Sequence, residues 1–199
     1  YSVSGKKLTS KPENVFCTHD DMQPSASRKE SPQFKLIEWI NSPETREIFF
    51  AYLSFSNSAV KRALCSAVTD RNVKISFVLD NTTDFAKAEE LLACQPNSGK
   101  AKDKPKLFKR GHVAGIGYAH NKLFIVNPNE KQKMKLVFSS GNMTSGVAVH
   151  HENWHFIVVN SESYFAQTHL CLKEGVLNHA GSGKEYSDFI QNCRDKITT

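Results

Sequence analysis

A histidine and a lysine two residues apart, His120 and Lys122, are followed in this chain by Ser140-Gly141-Asn142 and then by Glu152. Side chains on an extended segment alternate with a period of two, so His120 and Lys122 project to one face and can meet one substrate. An imidazole can act as a nucleophile or a proton carrier, and lysine and asparagine can donate to anionic oxygens. A carboxylate such as Glu152 can hold the imidazole in one tautomer and stabilise its charge. A phosphodiester calls for this set, because its oxygens repel nucleophiles. Attack without a metal requires a nitrogen nucleophile together with cationic and amide donors on those oxygens.

The surrounding sequence must bring these groups to one place. Leu123-Phe124-Ile125-Val126, Lys135 to Ser139 and Trp154 to Val159 each read as a strand. Adjacent strands of this kind converge the polar groups at one end of a sheet. Upstream, Phe34, Leu36, Ile37 and Ile40 have helical spacing, closed by Asn41-Ser42-Pro43. Glu47 to Phe55 is a continuous apolar run of the kind buried on both faces. A helix capped at Asn57 or Ser58 runs to about Thr69, and Val73 to Leu79 is the next strand. Strand, helix and strand in this order predict a parallel crossover unit. Asp84 to Cys94 reads as a helix and Pro96 to Lys106 as a basic loop. Two helical stretches, Glu162 to Leu172 and Glu185 to Lys196, close the chain. The expected fold is α/β, a mixed, largely parallel sheet with helices on both faces, over residues 32–199. Residues 1–31, rich in Ser, Lys, Pro and Asp, are expected to form an arm or loop.

With these residues in view, the chain resembles the phospholipase D superfamily, whose signature is His-x-Lys-x4-Asp, then Gly-Ser-x-Asn and a downstream Glu. The resemblance spans about residues 34–160 and includes Asn72 to Asp80, where that family commonly reads "gVkVrillD". It implies that His120 forms a phosphohistidine, that Lys122 and Asn142 bind non-bridging oxygens, and that Ser140 and Glu152 support them. Two positions depart from the pattern: Asn127 stands where the family usually has Asp, and Ser139 where it has Gly. Some members lack that aspartate and keep activity. The superfamily builds one site from two motifs, and this chain carries one. The resemblance therefore implies either a homodimer with the site on its two-fold axis or pairing with a second motif-bearing half.

Composition narrows the partners. The 199 residues are 39% apolar and 23% charged, ordinary for a globular protein, and no apolar run reaches the length of a membrane span. A net charge of +6 favours polyanions, and Lys100, Lys102, Lys104, Lys106, Lys109 and Arg110 are candidates to track a phosphate backbone. Cys17, Cys65, Cys94, Cys171 and Cys193 include no Cys-x-x-Cys pair. Cys65 in a helical stripe reads as a buried thiol, and disulfides are an alternative if the protein is exported. A chain starting at Tyr1 without Met leaves a secreted or periplasmic location open. His150, His151 and His155 suggest a metal site only weakly, so no metal or cofactor is expected. Trp39 and Trp154 read as core or rim aromatics, and His112 has no clear partner.

The expected function is thus a metal-independent phosphodiesterase, a nuclease in the first instance because of the basic residues near the motif. A phospholipase D or phosphatidyltransferase is the alternative, recognisable by an exposed apolar lip at the site. A non-catalytic binding half-domain is the third reading.

Overall fold

The computed structural model describes residues 2–3, 6–7, 31–130, 134–148 and 152–197. The predicted arm therefore falls largely outside the described residues. Within it, β1 (Ser2–Val3) and β2 (Lys6–Lys7) form a two-stranded antiparallel ribbon.

Pro32–Asn41 forms α1, begun by Ser31, whose hydroxyl accepts the Phe34 N–H, and by Pro32 at the first turn. Glu47–Tyr52 is β3 and Ser58–Arg71 is α2, capped by Asn57 Oδ1 accepting from Val60 N at 2.9 Å. Asn72 ends α2 at φ 55°, a left-handed conformation that asparagine tolerates better than most residues. Lys74–Asp80 is β4, Ala86–Leu92 is α3, Lys106–Arg110 is β5, Lys122–Val126 is β6, Met134–Ser139 is β7 and Trp154–Val159 is β8. Tyr164–Asn178 and Gly183–Ile197 are α4 and α5. No helix among the described residues is long and apolar enough to cross a membrane.

Six strands pair in the order β5-β4-β3-β6-β7-β8. β3–β4 and β4–β5 are parallel, and β3–β6, β6–β7 and β7–β8 are antiparallel. Four strands, β3, β4, β5 and β7, thus share one direction, the mixed and largely parallel arrangement expected. Tyr52, Asp80, Arg110 and Ser139 end those four strands at the edge where Lys122 and Trp154 begin the other two. That edge is the carboxyl end of the parallel unit, where open α/β sheets place their ligand crevices.

Each face of the sheet has its own apolar layer. On one, Phe50 stacks on its register partners Phe77 (4.8 Å) and Phe124 (5.9 Å) beneath α1, α2 and α3. On the other, Phe49, Val78, Ile125 and Leu136 meet Ala166, Val176 and Leu177 of α4. Full burial of such a side chain contributes about 1.5–3 kcal/mol.

Three expectations change. Lys106, expected to end the basic loop, opens a strand over residues 106–110 that the sequence reading did not contain. β5 pairs only with β4, and as an edge strand it keeps lysines exposed, which hides its period. α4 runs to Asn178 rather than Leu172, passing through Gly175, where a Cβ would lie 2.9 Å from the Tyr186 ring. The third change is chemical: Cys65 is bonded to Cys94 (Cα–Cα 5.6 Å), and Cys171 to Cys193 (6.0 Å). Helical periodicity located Cys65 near the core, but only the packing of α3 against α2 brings Cys94 within bonding distance. α5 has no buried residue, so the Cys171 crosslink and the close Gly175–Tyr186 contact hold it to α4.

Candidate active site at the sheet edge

Register places Tyr52 directly opposite Lys122 and Ser139 opposite Trp154. Leu123 pairs with Phe138, so continuing that ladder by one residue sets Lys122 beside Ser139. Tyr52, Lys122, Ser139 and Trp154 therefore form one row across four strands. All face the layer of α1 and α2, since Phe50, Phe124, Val137 and Phe156, each two residues away along its strand, belong to that layer. Lys122 Nζ, Asn142 Oδ1, Trp154 Nε1 and the Tyr52 hydroxyl are all buried and find no hydrogen-bond partner among the described residues. Burial lowers Lys122 below the ordinary lysine value, while the charge of Glu152 works the other way. Burial also pushes the Tyr52 hydroxyl well up, with Ser139 opposing.

The turn after β7 carries the rest. Ser140 donates its hydroxyl to Glu152 Oε2 and accepts the Asn153 N–H at 3.0 Å. Ser140 N donates to Asn153 O at 3.0 Å, which continues the β7–β8 ladder past its last strand pair. Gly141 makes a close approach here: a Cβ would come 3.1 Å from Glu152 Cγ and 3.3 Å from Trp154 Cζ2, so these side chains would have to give by a few tenths of an ångström. Met143 O accepts from Ser56 N (3.0 Å) and Asn57 N (3.1 Å), pinning the turn to the β3–α2 connection. Lys122, Ser140, Asn142 and Glu152 are thus gathered at one strand edge. The hydrogen bond of Glu152 goes to Ser140.

His120 stands two residues before β6, exposed, and no other described side chain hydrogen-bonds to it. It borders a cavity of about 180 Å³, whose walls include Ile116, Tyr118, Val176 and Tyr186. The approach to His120 is held by a residue whose role the sequence did not disclose. Asp80 is fully buried at the end of β4 and accepts from Ala119 N (2.7 Å), Thr82 N (2.9 Å) and Thr82 Oγ1 (2.6 Å). Burial alone would raise its carboxyl. The bonds from Thr82 and Ala119 and the nearby His112 overcome that and hold it below the usual carboxylate range. His112, which had no evident partner, places Nε2 3.2 Å from Asp80 Oδ1 and stacks edge-on against Tyr118. An acid closing an otherwise apolar strand was the available signal, as was Tyr52 at the end of β3.

Other candidates resolve differently. Asn127 sits at the far end of β6, at φ 53°, with Oδ1 accepting from Arg46 N (2.8 Å) and Glu47 N (3.2 Å) and Nδ2 donating to Glu44 O (2.9 Å). It fastens the start of β3 and is remote from the Lys122 end. Arg110 is not free to track phosphates: Nε donates to Val176 O at 2.8 Å and NH2 to Leu177 O, closing the carboxyl end of α4. Lys100, Lys102, Lys104 and Lys106 are exposed, and Lys109 lies 3.9 Å over the Phe85 ring. His150 and His151 lie outside the described residues. His155 stacks on Phe138 at 4.6 Å, and no metal-ligating cluster occurs among the described residues.

No family model and no curated protein matches the chain. Solved structures do. Polyphosphate kinase from Porphyromonas gingivalis is 16% identical over 70% of this chain and 22% of that one, with a TM-score of 0.47. Yeast tyrosyl-DNA phosphodiesterase is 15% identical over 80% and 37%, with a TM-score of 0.41. Nuc from Salmonella typhimurium, a phospholipase D family member, is 18% identical to this chain over 82% of its length and 84% of that chain, with a TM-score of 0.48.

Proposed function

We propose that this protein is a phosphodiesterase that acts through a phosphohistidine on His120, without needing a metal, and that nucleic acid is its substrate. The observation that carries this reading is the buried, unpartnered Lys122 Nζ at the strand edge, with the Asn142 side chain beside it on the turn after β7. A buried ammonium without a partner is costly, and an anionic oxygen is the partner that offsets it. Glu152 supports the charge of Lys122, and Ser140 holds Glu152 in place.

In this reading a ring nitrogen of His120 attacks phosphorus, forming an N–P bond as the bond to the leaving oxygen breaks. That oxygen takes a proton from a general acid. Water then attacks phosphorus, the N–P bond breaks, and imidazole and a phosphate monoester are released. One copy of the motif supplies one such histidine, so the acid is His120 of a second copy in a homodimer, or the histidine of a second motif-bearing half.

A specific observation favours phospholipid as the second reading: the loop that leads to His120 exposes two large apolar side chains, Tyr118 (65%) and Val113 (37%). The test is turnover of bis(4-nitrophenyl) phosphate, nucleic acid and phospholipid vesicles in EDTA. Nucleic acid cleavage in chelator, lost by about 10³ or more in His120→Ala, is expected. Retention of a tenth of the rate in that variant, or loss in EDTA restored by zinc, refutes the mechanism. Preferential turnover of vesicles replaces the substrate.

A further inference from the structure

We infer that Trp154 is a further ligand-binding residue, its indole N–H donating to the same phosphoryl oxygens as Lys122; this rests on the phosphoryl reading above. Three observations point to it. Trp154 Nε1 is buried and unpaired, in the same row as Lys122 Nζ and the Tyr52 hydroxyl. Lys122 Nζ and Trp154 Nε1 can only donate, and two unpaired buried donors on one face describe a site that awaits an acceptor such as an anionic oxygen, since buried N–H groups are otherwise almost always satisfied.

The second observation is orientation. Gly141 leaves its Cβ position open to Trp154 Cζ2, which belongs to the ring edge that also carries Nε1. The N–H edge of the indole is therefore turned to the Ser140-Gly141-Asn142 turn. The third is spacing. Lys122 and Trp154 start strands separated only by β7, so their backbones are about 10 Å apart at the usual strand spacing. Two long side chains rising from such positions on one face bracket a group the size of a phosphate, with Ser139 and Gly141 below it.

Trp39 provides a built-in control. It packs edge-on against Phe156 at 5.3 Å on the same face, while Trp154 stacks on that ring at 6.4 Å. The chain has two tryptophans, so Trp39→Phe leaves Trp154 as the only indole fluorophore. Inorganic phosphate is the probe, measured by calorimetry on wild type, Trp154→Phe and Trp39→Phe, and by emission of the Trp39→Phe variant. Phenylalanine keeps an aromatic ring, smaller than the indole, and removes the N–H. Loss of a hydrogen bond to a charged group predicts roughly 10- to 100-fold weaker phosphate binding in Trp154→Phe. Trp39→Phe should bind as wild type, and its emission should saturate with phosphate at the calorimetric midpoint.

Thermal unfolding of Trp154→Phe guards against a trivial loss: relief of an unsatisfied buried donor offsets part of the cavity left by the smaller ring, so a modest fall in Tm is expected and affinity is measured well below it. Wild-type affinity in Trp154→Phe overturns the inference, as does a phosphate-insensitive emission or no saturable binding to wild type. Phosphate binding without turnover would sink the enzymatic reading and leave this one standing. Turnover abolished by His120→Ala, with phosphate affinity unchanged in Trp154→Phe, would do the reverse.

Discussion

Asp80 Oδ2 accepts the backbone N–H of Ala119 at 2.7 Å, so a carboxylate at the end of one strand fixes the residue next to His120. Gly111 is the counterpart of this contact. At φ 84° it passes so close that a Cβ would lie 2.5 Å from the same carboxylate oxygen. The loop from 111 to 119 is thereby folded back on β4, and the proposed nucleophile is delivered from a fixed point rather than from a free tether.

Replacing Asp80 should therefore reach both stability and turnover. Asp80→Ala leaves the Thr82 and Ala119 N–H groups without an acceptor, and a loss of about 3 kcal/mol in denaturant unfolding is expected. Asp80→Asn keeps one acceptor oxygen and should lose less. Because the folded carboxyl is held below its ordinary value of 3.8, its contribution is present above that pH and disappears as pH falls through the folded value. Wild type should thus lose stability more steeply than Asp80→Asn on acidification below about pH 4. Parallel acid limbs would show that the Asp80 charge contributes nothing.

Lys122 gives the same pH sense from a destabilising charge. Its folded value lies below the unfolded 10.5, so between the two the unfolded chain binds more protons and stability rises with pH. Lys122→Met should abolish turnover yet be more stable by about 1 kcal/mol at neutral pH, an advantage that fades as pH approaches that of free lysine. Glu152→Gln removes the charge that supports the ammonium, so the alkaline limb of residual turnover should move to lower pH. An unmoved limb would detach Glu152 from Lys122.

The crosslinks make a measurable demand on the environment. Cys65 and Cys94 are 29 residues apart, and a loop of this size stabilises by roughly 3–4 kcal/mol in the chain-entropy description. Cys65→Ser with Cys94→Ser, or treatment with dithiothreitol, should lower the unfolding midpoint accordingly. Loss of Cys171–Cys193 should instead release α5, seen as rapid amide exchange from residue 183 onward with the sheet still protected. Uniform loss of protection would show that α5 is integral to the core. Two disulfides fit an oxidising compartment better than a reducing one.

If nucleic acid is the substrate, affinity should fall with salt, and each neutralised phosphate contributes about −0.7 to −0.9 to the slope of log K against log[salt]. Changing Lys100, Lys102 and Lys104 to Gln together should flatten that slope and spare bis(4-nitrophenyl) phosphate. Arg110→Ala should behave differently and impair both substrates, because its guanidinium closes α4. An unchanged slope in the triple variant would make this stretch a plain solvated surface.

The sequence by itself determined the elements and the chemical kit. Period-two and continuous apolar runs located β3, β4, β6, β7 and β8 to within a few residues, and the His-x-Lys spacing together with Ser140, Asn142 and Glu152 marked the residues proposed to handle phosphate. These are local signals, written in neighbouring residues. What the tertiary structure decided depends on groups far apart in the chain. Asp80 meets Ala119 across 39 positions and Asn127 meets Arg46 across 81, and the cystines join separate helices. Arg110 is drawn from the basic cluster into α4 in the same way. Trp154 looked like a core aromatic because its ring is one. Strand register sets it in line with Lys122 and Tyr52, and its buried N–H has no hydrogen-bond partner among the described residues.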